Sequence, residues 1–401
     1  MKICFFSSLY PPLAFGGATG VAQIEAEHLV KRGHEVFIIT TSPDNHYQEE
    51  NINGVKIYRL PNSNLYPFYE NFKNQNNYKI PSKIIWHIID TFNLRLKNKI
   101  KRIVLNEKPD IVHVHNFGGL STLLFNGMKE IGVPVVFTAH DYSVICPRAN
   151  LLRSDNSICE ERPLICSAYT KIKKFLVSGG VDIVISPSQF LINKLRENNI
   201  FNDIEMVKLP NPVEISERPP FSKSCNEKLM LLYVGELSKH KGLHILIEAL
   251  KKIDDDNISL DVYGRGAHED YFKEISEDLN VFFRGYANGF EELKKAYQRA
   301  SVTVVPSIWY DNSPMVIYES LMNSTPVIAS RIGGIPELVM DGYNGLLFEA
   351  RNTNELVNIL RNALEDPSSI EELAGNAFKS VKEYDVKKHL KKLEKIYIKL
   401  I

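Results

Sequence analysis

Two loops in the second half of the chain carry charged residues at positions where they could bind a ligand. Lys241 closes a loop between a predicted strand and a predicted helix, and an ammonium near a helix start can meet a phosphate. Asp311 and Glu319 lie eight residues apart, across a loop and the predicted helix that follows it. Plainer explanations exist, because a loop lysine is usually a solvated charge and an acid before a helix can simply cap it. Whether these residues form a binding site therefore depends on the strands and helices that position them.

A third candidate is the glycine pair Gly16 and Gly17, which follows the first predicted strand and precedes a predicted helix. Glycine allows a backbone to approach a ligand closely, and the N-terminus of a helix favours phosphate. The loop lacks the GxGxxG spacing, so a dinucleotide site is not indicated. By itself it is equally well a flexible connection between a strand and a helix.

Short apolar runs alternate with helical patterns along the chain, which favours parallel sheets covered by helices. Near-continuous apolar runs such as residues 36–39 suit strands that are buried on both faces. The strands predicted in the first half are residues 3–7, 36–40, 111–115, 135–139, 183–186 and 206–209. Those predicted in the second half are residues 229–234, 260–263, 281–283, 302–305, 326–329 and 345–348.

A polar, proline-rich stretch interrupts this alternation and predicts two domains. We expect a first domain over residues 1–210, a linker over 211–226, a second domain over 227–385 and a last helix within 386–401. The charge follows the same division, since residues 1–210 carry 24 basic and 19 acidic side chains and the remainder carries 24 and 29. In doubly wound domains ligands bind at the carboxyl ends of the strands, so two facing edges would form a cleft.

The composition excludes several classes of protein. An apolar content of 44% and a charged content of 24% are those of a globular chain. A formal net charge of zero and the lack of zinc-finger spacing argue against nucleic-acid binding. No run reaches the length of a membrane span and no signal-peptide pattern opens the sequence, so we expect a cytoplasmic protein.

Two motifs could be taken for metal sites but have better explanations. The acidic run at residues 254–256 follows a predicted helix, and we expect a solvated turn there. Three cysteines do not have the spacing of a closed zinc site and are better interpreted as free thiols: Cys146, Cys159 and Cys166. We therefore expect no bound metal.

Taken together, the motifs resemble the retaining glycosyltransferases of family 4. These have the GT-B fold, two facing Rossmann-like α/β domains with a C-terminal helix that crosses back to the first. No single motif is specific, but their order and spacing extend over essentially the whole chain. The resemblance is carried by the Gly16-Gly17 loop, residues 32–36, 109–115, 140–141 and 186–188, Asn211, Lys241-Gly242, Asp311 with Glu319, and residues 333–337.

The resemblance implies a nucleotide-sugar donor bound mainly by the second domain and an acceptor bound mainly by the first, without a cofactor. Lys241 would neutralise the donor diphosphate as it departs, and Asp311 would lie near the transferred sugar. Glu319 would accept hydrogen bonds from the ribose, His140 would lie beside the sugar, and Tyr286 would help to hold the base. The other residues expected to bind the donor are Gly16, Gly17, Gly235, Asn312, Ser313, Pro314 and Met315.

This sequence departs from the family pattern at two positions. Glu236 stands where the family usually has an arginine, and a carboxylate there would repel phosphate unless it points away. Asp311 is one methylene shorter than the usual glutamate, which keeps the charge but changes its reach. The resemblance therefore does not predict how tightly the donor binds or which contacts these two residues make.

An apolar helical stripe over residues 85–103 carries basic side chains between residues 95 and 102. We expect one helix that packs on its own sheet with a solvated basic face. Such a helix can also lie on an anionic membrane, and residues 171–176 are a second candidate of the same kind.

The favoured function is transfer of a sugar from a nucleoside diphosphate carrier to an acceptor hydroxyl, with retained anomeric configuration. The acceptor would be a saccharide or a lipid-linked sugar, in cell-envelope polysaccharide or glycolipid synthesis, and the protein would be cytoplasmic or peripheral on the inner face of the membrane. One alternative is another GT-B enzyme, such as a sugar-nucleotide epimerase. A second is a catalytically silent partner that binds nucleotide sugars, and Glu236 is the feature that keeps it open.

Overall fold

The computed structural model describes residues 1–13, 16–70, 78–215, 228–287 and 289–401. The chain forms two compact units, called unit 1 and unit 2. Unit 1 comprises Met1–Asn150, Glu160–Pro212 and Val386–Ile401, and unit 2 comprises Leu151–Cys159 and Val213–Asp385. Residues 151–159, which the sequence assigns to the first domain, therefore belong to unit 2. Most of the expected linker, residues 216–226, lies outside the described residues.

Unit 1 is built on a sheet with the spatial order β3-β4-β2-β1-β5-β6-β7-β8. Within the described part of the chain, the β3–β4 pair is antiparallel and every other pair in this sheet is parallel. The strands are β1 (Lys2–Phe6), β2 (Glu35–Thr41), β3 (Gln48–Ile52), β4 (Val55–Leu60), β5 (Ile111–Val114), β6 (Val135–Thr138), β7 (Ile183–Ser186) and β8 (Glu205–Lys208). The helices are α1 (Gly17–Lys31), α2 (Ile80–Thr91), α3 (Leu94–Glu107), α4 (Leu124–Ile131), α5 (Leu164–Ser178) and α6 (Gln189–Glu197).

Unit 2 contains a second parallel sheet, with the spatial order β11-β10-β9-β12-β13-β14. Its strands are β9 (Leu229–Val234), β10 (Ile258–Tyr263), β11 (Val281–Gly285), β12 (Val302–Val305), β13 (Val327–Ser330) and β14 (Gly345–Phe348). Its helices are α7 (Leu243–Ile253), α8 (Glu269–Glu274), α9 (Phe290–Arg299), α10 (Met315–Met322), α11 (Thr353–Glu365) and α12 (Pro367–Val381). The order runs outward from β9 in one direction and from β12 in the other, so the topology reverses between these two strands.

The last helix, α13 (Val386–Leu400), packs on unit 1. Its buried apolar residues join the core formed by β1, β2 and α1, where Tyr397 is fully buried. The predicted fold class is thus confirmed: two Rossmann-like α/β domains with a C-terminal helix that returns to the first. Over the stretches that the structure describes, no helix has the length and apolar character needed to cross a bilayer.

The hairpin of β3 and β4 is absent from the sequence-based prediction. Residues 48–52 alternate between partly exposed and exposed positions, so they lack the continuous apolar run that marks the buried strands. The available signal was the turn, Asn53-Gly54, where both residues have positive φ (52° and 85°). An Asn-Gly pair between two alternating segments is a strong indicator of a hairpin.

The single helix expected over residues 85–103 is wrong, because α2 ends at Thr91 and α3 begins at Leu94. The side chain of Asn93 accepts a hydrogen bond from the backbone N–H of Leu96 (3.0 Å) and so caps α3. The two helices also differ in burial. On α3 the apolar positions Leu96, Ile100 and Val104 are buried, whereas several apolar residues of α2 face outward.

The run at residues 254–256 is exposed, as predicted for a solvated turn. Asp254 adopts a left-handed conformation (φ 50°) at the end of α7, and an oxygen of Asp255 accepts from the backbone N–H of Asn257 (2.7 Å). The carboxylates of this segment therefore shape a connection between α7 and β10.

Candidate functional site

The strongest candidate site in unit 2 lies at the reversal point of its sheet, between β9 and β12. In open parallel sheets, ligands bind at the carboxyl ends of the strands next to such a point, because the connecting loops turn away on opposite sides. Lys241 lies in a short 3-10 turn after β9, and Asp311 lies in the loop after β12. The two residues are 70 positions apart in the chain, and the sheet order brings them together.

Lys241 and Asp311 form an ion pair with an Nζ–Oδ2 distance of 2.7 Å. The hydroxyl of Ser307 donates to the same carboxylate oxygen at 3.2 Å. The Asp311 side chain is 8% exposed and that of Lys241 is 25% exposed. The carboxylate is therefore largely withdrawn from water, while the Lys241 side chain remains partly exposed.

An indole ring completes the surroundings of this ion pair. The Nζ of Lys241 lies 5.0 Å from the ring centroid of Trp309, and His240 packs edge-on against the same ring. The buried Nε1 of Trp309 has no hydrogen-bond partner among the described residues. The sequence analysis gives Ser307 and Trp309 no role. Their positions shortly before Asp311 are the feature of the sequence that could have indicated them.

Close backbone contacts fix the two loops that carry the ion pair. A Cβ placed on Gly242, whose φ is +80°, would lie 1.7 Å from the carbonyl oxygen of Pro306. A Cβ on Gly333, at φ +62°, would lie 2.3 Å from the carbonyl oxygen of Asp311. That same oxygen accepts a hydrogen bond from the backbone N–H of Gly334 (2.8 Å). Glycine at these positions lets the loops after β9, β12 and β13 touch through their main chains.

Gly235 takes part in a similar contact one strand further out. A Cβ on Gly264, which follows β10, would lie 1.9 Å from the carbonyl oxygen of Gly235. The neighbouring Glu236 is exposed, and its backbone carbonyl accepts a hydrogen bond from the hydroxyl of Tyr233 (3.0 Å). The exposed Glu236 side chain is therefore in contact with solvent.

Helix α10 begins beside Asp311 and contains Glu319. Its N-cap is Pro314, which has no side-chain acceptor for the first N–H groups of the helix. The hydroxyl of Ser313 shares a hydrogen bond with that of Tyr318 (2.8 Å), and Asn312 is buried. The start of α10 thus offers backbone donors next to the ion pair, a geometry that suits an anion.

Glu319 accepts a hydrogen bond from the hydroxyl of Tyr297, on α9, at 2.8 Å. Burial raises the pKa of Glu319, and the Tyr297 hydrogen bond works in the opposite direction. This contact fixes the carboxylate as a hydrogen-bond acceptor. Tyr286, expected at the base, is 69% exposed after β11.

The remaining predicted residues belong to unit 1. Gly16, at φ 83°, is the N-cap of α1, and both Gly16 and Gly17 are exposed. His140 follows β6, and its Nε2 lies 3.1 Å from Nδ1 of His115. Burial lowers the pKa of His140 to about 3, so its imidazole is neutral at physiological pH. The structure thus brings Lys241, Asp311 and the start of α10 together, and the roles of Gly16, Gly17, His140 and Tyr286 stay predictions.

Comparison with known proteins identifies the family. Residues 15–217 match Glycosyltransferase Family 4, and residues 215–380 match Glycosyl transferases group 1. The chain belongs to glycosyltransferase family 4, and it is a glycosyltransferase with the GT-B fold.

Two relatives and one solved structure illustrate the similarity. A glycosyltransferase of Methanocaldococcus jannaschii is 29% identical over 96% of this chain and 94% of its own. The alpha-monoglucosyldiacylglycerol synthase of Acholeplasma laidlawii is 24% identical over 100% and 98% of the two chains. The crystal structure of HepE from Anabaena in complex with UDP superposes with a TM-score of 0.71 at 19% identity, covering 99% of each chain.

The close contact at Gly242 yields a stability prediction. Gly242→Ala should destabilise the protein strongly, because its Cβ would overlap the carbonyl of Pro306. Gly342→Ala is the matched control, since Gly342 has a similar φ of +74° and no described atom lies within 4 Å of the added Cβ. The control should lose about 1–2 kcal/mol, the cost of a left-handed alanine, and Gly242→Ala should lose more, as measured by urea unfolding. Equal losses would contradict the loop packing described above.

Proposed function

We propose that this glycosyltransferase uses a nucleoside diphosphate sugar and transfers the sugar to an acceptor hydroxyl with retention of anomeric configuration. The observation that carries the proposal is the Lys241–Asp311 ion pair at the reversal point of unit 2, next to the start of α10. A cation, a carboxylate and uncapped helix donors in one place match the charges of a diphosphate sugar. The UDP complex of HepE supports UDP-sugars as the first donors to test.

Each group has a distinct task in this proposal. As the sugar–phosphate bond breaks, negative charge grows on the departing diphosphate, and the exposed part of Lys241 stabilises it. Asp311 lies where positive charge develops on the sugar, and it neutralises Lys241 while no donor is bound. The backbone N–H groups at the start of α10 hold phosphate oxygens, and Glu319 accepts hydrogen bonds from the ribose.

Retention follows from a front-side reaction in this proposal. The acceptor hydroxyl attacks from the face that the leaving phosphate vacates, and that phosphate takes the proton. No side-chain base is then needed, and His140 would contact the sugar as a neutral imidazole. Metal is not required for this step, because Lys241 and the start of α10 supply the positive charge.

We further propose that the acceptor belongs to a glycolipid or an envelope polysaccharide, with the protein at the cytoplasmic face of a membrane. The named activity of the Acholeplasma relative, a glycolipid synthase, supports this. The basic face of α3, the alternative membrane contact, is a weak candidate. Lys97 and Lys101 both pair with Glu130, and Lys99 lies over the ring of Tyr47.

A better membrane surface is formed by α2 and α5, which meet where His87 contacts Tyr169. We call the exposed apolar residues of these helices the α2–α5 apolar surface: Ile80, Ile84, Ile85, Ile88, Leu164, Ile165, Ile172 and Phe175. Exposed lysines adjoin it, namely Lys79, Lys171 and Lys174. Apolar side chains flanked by lysines suit the boundary of an anionic bilayer.

Kinetics should separate the two acids of the donor site. Asp311→Asn should mainly lower kcat, because the charge it stabilises exists only as the bond breaks. Glu319→Gln should mainly raise the donor KM, because the ribose is held alike before and during the reaction. The measurement is steady-state turnover of UDP-, GDP- and ADP-hexoses, with the exposed Glu277→Gln as a control of unchanged kinetics. Normal kinetics for Asp311→Asn at low temperature, together with a large fall in melting temperature, would contradict its catalytic role.

Vesicle sedimentation tests the α2–α5 apolar surface. The protein should bind vesicles that contain anionic phospholipid, and binding should weaken as salt rises. Ile88→Ser combined with Phe175→Ser should reduce binding at least about tenfold, because it removes apolar area from the contact. Ile398→Ser is the control, since Ile398 is 66% exposed on α13. Equal binding to neutral vesicles, or no binding, would contradict the proposal.

A further inference from the structure

A buried polar cluster in unit 1 is not among the residues proposed to bind the donor. It comprises Glu25 on α1, His113 on β5 and His115, which directly follows β5. Both histidines are fully buried and Glu25 is 2% exposed. Since residues two apart on a strand share a face, the two imidazoles point to the same side of the sheet, toward α1.

The ligand atoms of these three residues converge. Glu25 Oε2 lies 3.5 Å from His115 Nε2 and 3.7 Å from His113 Nδ1, and each of the three residues offers a ligand atom within 4.8 Å of the other two. Neither Glu25 Oε2 nor His115 Nε2 has a hydrogen-bond partner in the part of the chain that the structure describes. Two buried polar atoms that face each other without hydrogen-bond partners destabilise the folded protein unless an ion or a water molecule lies between them.

We propose that Glu25, His113 and His115 bind a divalent transition metal of the zinc class. Separations of 3.5 and 3.7 Å are long for N–H···O hydrogen bonds, which are usually 2.7–3.2 Å. They are close to the roughly 3.3–3.5 Å between ligand atoms that each lie about 2.0–2.1 Å from a tetrahedral zinc ion. Two imidazoles and one carboxylate are also a ligand set that zinc favours.

The surroundings hold each ligand by its other polar atom. His113 Nε2 lies 2.7 Å from the hydroxyl of Thr138, and His115 Nδ1 lies 3.1 Å from His140 Nε2. Glu25 Oε1 lies 3.0 Å from His389 Nε2, on α13. Partners of this kind orient metal-binding side chains. Burial also lowers the pKa of both cluster histidines well below the usual value, which keeps them in the neutral form that binds metals.

Among the described residues, Tyr397 competes with the metal for a ligand atom. Its hydroxyl lies 2.6 Å from His113 Nδ1, so it must give up that hydrogen bond when the metal binds. The three residues would leave the fourth position of a tetrahedral ion to a water molecule, and because the cluster is buried the ion would be acquired during folding. It would tie α1 to β5 and, through His389, hold α13 in place.

Metal analysis of the full chain, produced in zinc-supplemented medium and desalted, tests the proposal. About one zinc ion per chain is expected, and Glu25→Gln, which preserves shape, should reduce it to background. Cys146→Ser should leave the zinc content unchanged, which separates this cluster from the cysteines. Wild-type protein without zinc, or full zinc content in Glu25→Gln, would overturn the proposal and favour a bridging water.

A second measurement does not depend on how the variant folds. Wild-type protein produced with cobalt in place of zinc should show the intense visible absorption bands of tetrahedral Co²⁺. Lack of such bands in cobalt-containing protein would contradict a site of this geometry. Both readouts are independent of glycosyl transfer, so the failure of one proposal leaves the other intact.

Discussion

The ion pair between Lys241 and Asp311 is the interaction on which the candidate donor site depends. It joins the loops that follow β9 and β12, the two strands at which the order of the sheet reverses. Removing one partner of a buried ion pair typically costs about 3–5 kcal/mol, because the other charge is left without compensation. Asp311 is buried enough to approach that limit, while Lys241 keeps an exposed part for a ligand. The same contact therefore stabilises the ligand-free loops and holds a cation where a diphosphate is expected.

The main chain supports this arrangement as much as the side chains do. Gly242 lies against Pro306, and Gly333 lies against Asp311, with no room for a Cβ at either contact. Loops that touch through their backbones have few alternative conformations, so the ion pair and the start of α10 keep a fixed relation. Preorganisation of this kind lets charged groups stabilise a transition state without rearranging during the reaction.

The sequence predicted most of the buried strands but missed β4, which is also buried, and it gave little information on the contacts between loops. Residues 36–39 form a continuous apolar run, and a sheet covered on both faces needs such runs, so β2 was predictable. The strand β3 was missed because its polar pattern is that of an exposed edge. Likewise, the break at Asn93 was hidden by an apolar spacing that continues across both helices.

Local motifs predicted individual residues of the candidate site but not the contacts between them. Lys241 and Asp311 were chosen by their loops and by the family resemblance, but their contact follows from the strand order, which no local spacing reveals. The buried cluster shows the same limit. His113 and His115 stand out as an alternating pair, yet Glu25 reaches them from a helix 88 positions earlier than His113.

The most direct test of the central claim is the turnover of a nucleoside diphosphate sugar by Lys241→Ala, measured as nucleoside diphosphate release beside the wild type. We expect kcat/KM to fall about a hundred- to a thousand-fold, because a preorganised cation no longer faces the departing phosphate. Lys241→Arg should keep part of the rate, and the melting temperatures of both variants exclude simple unfolding. Wild-type kinetics in a folded Lys241→Ala variant would contradict the placement of the donor diphosphate at this ion pair.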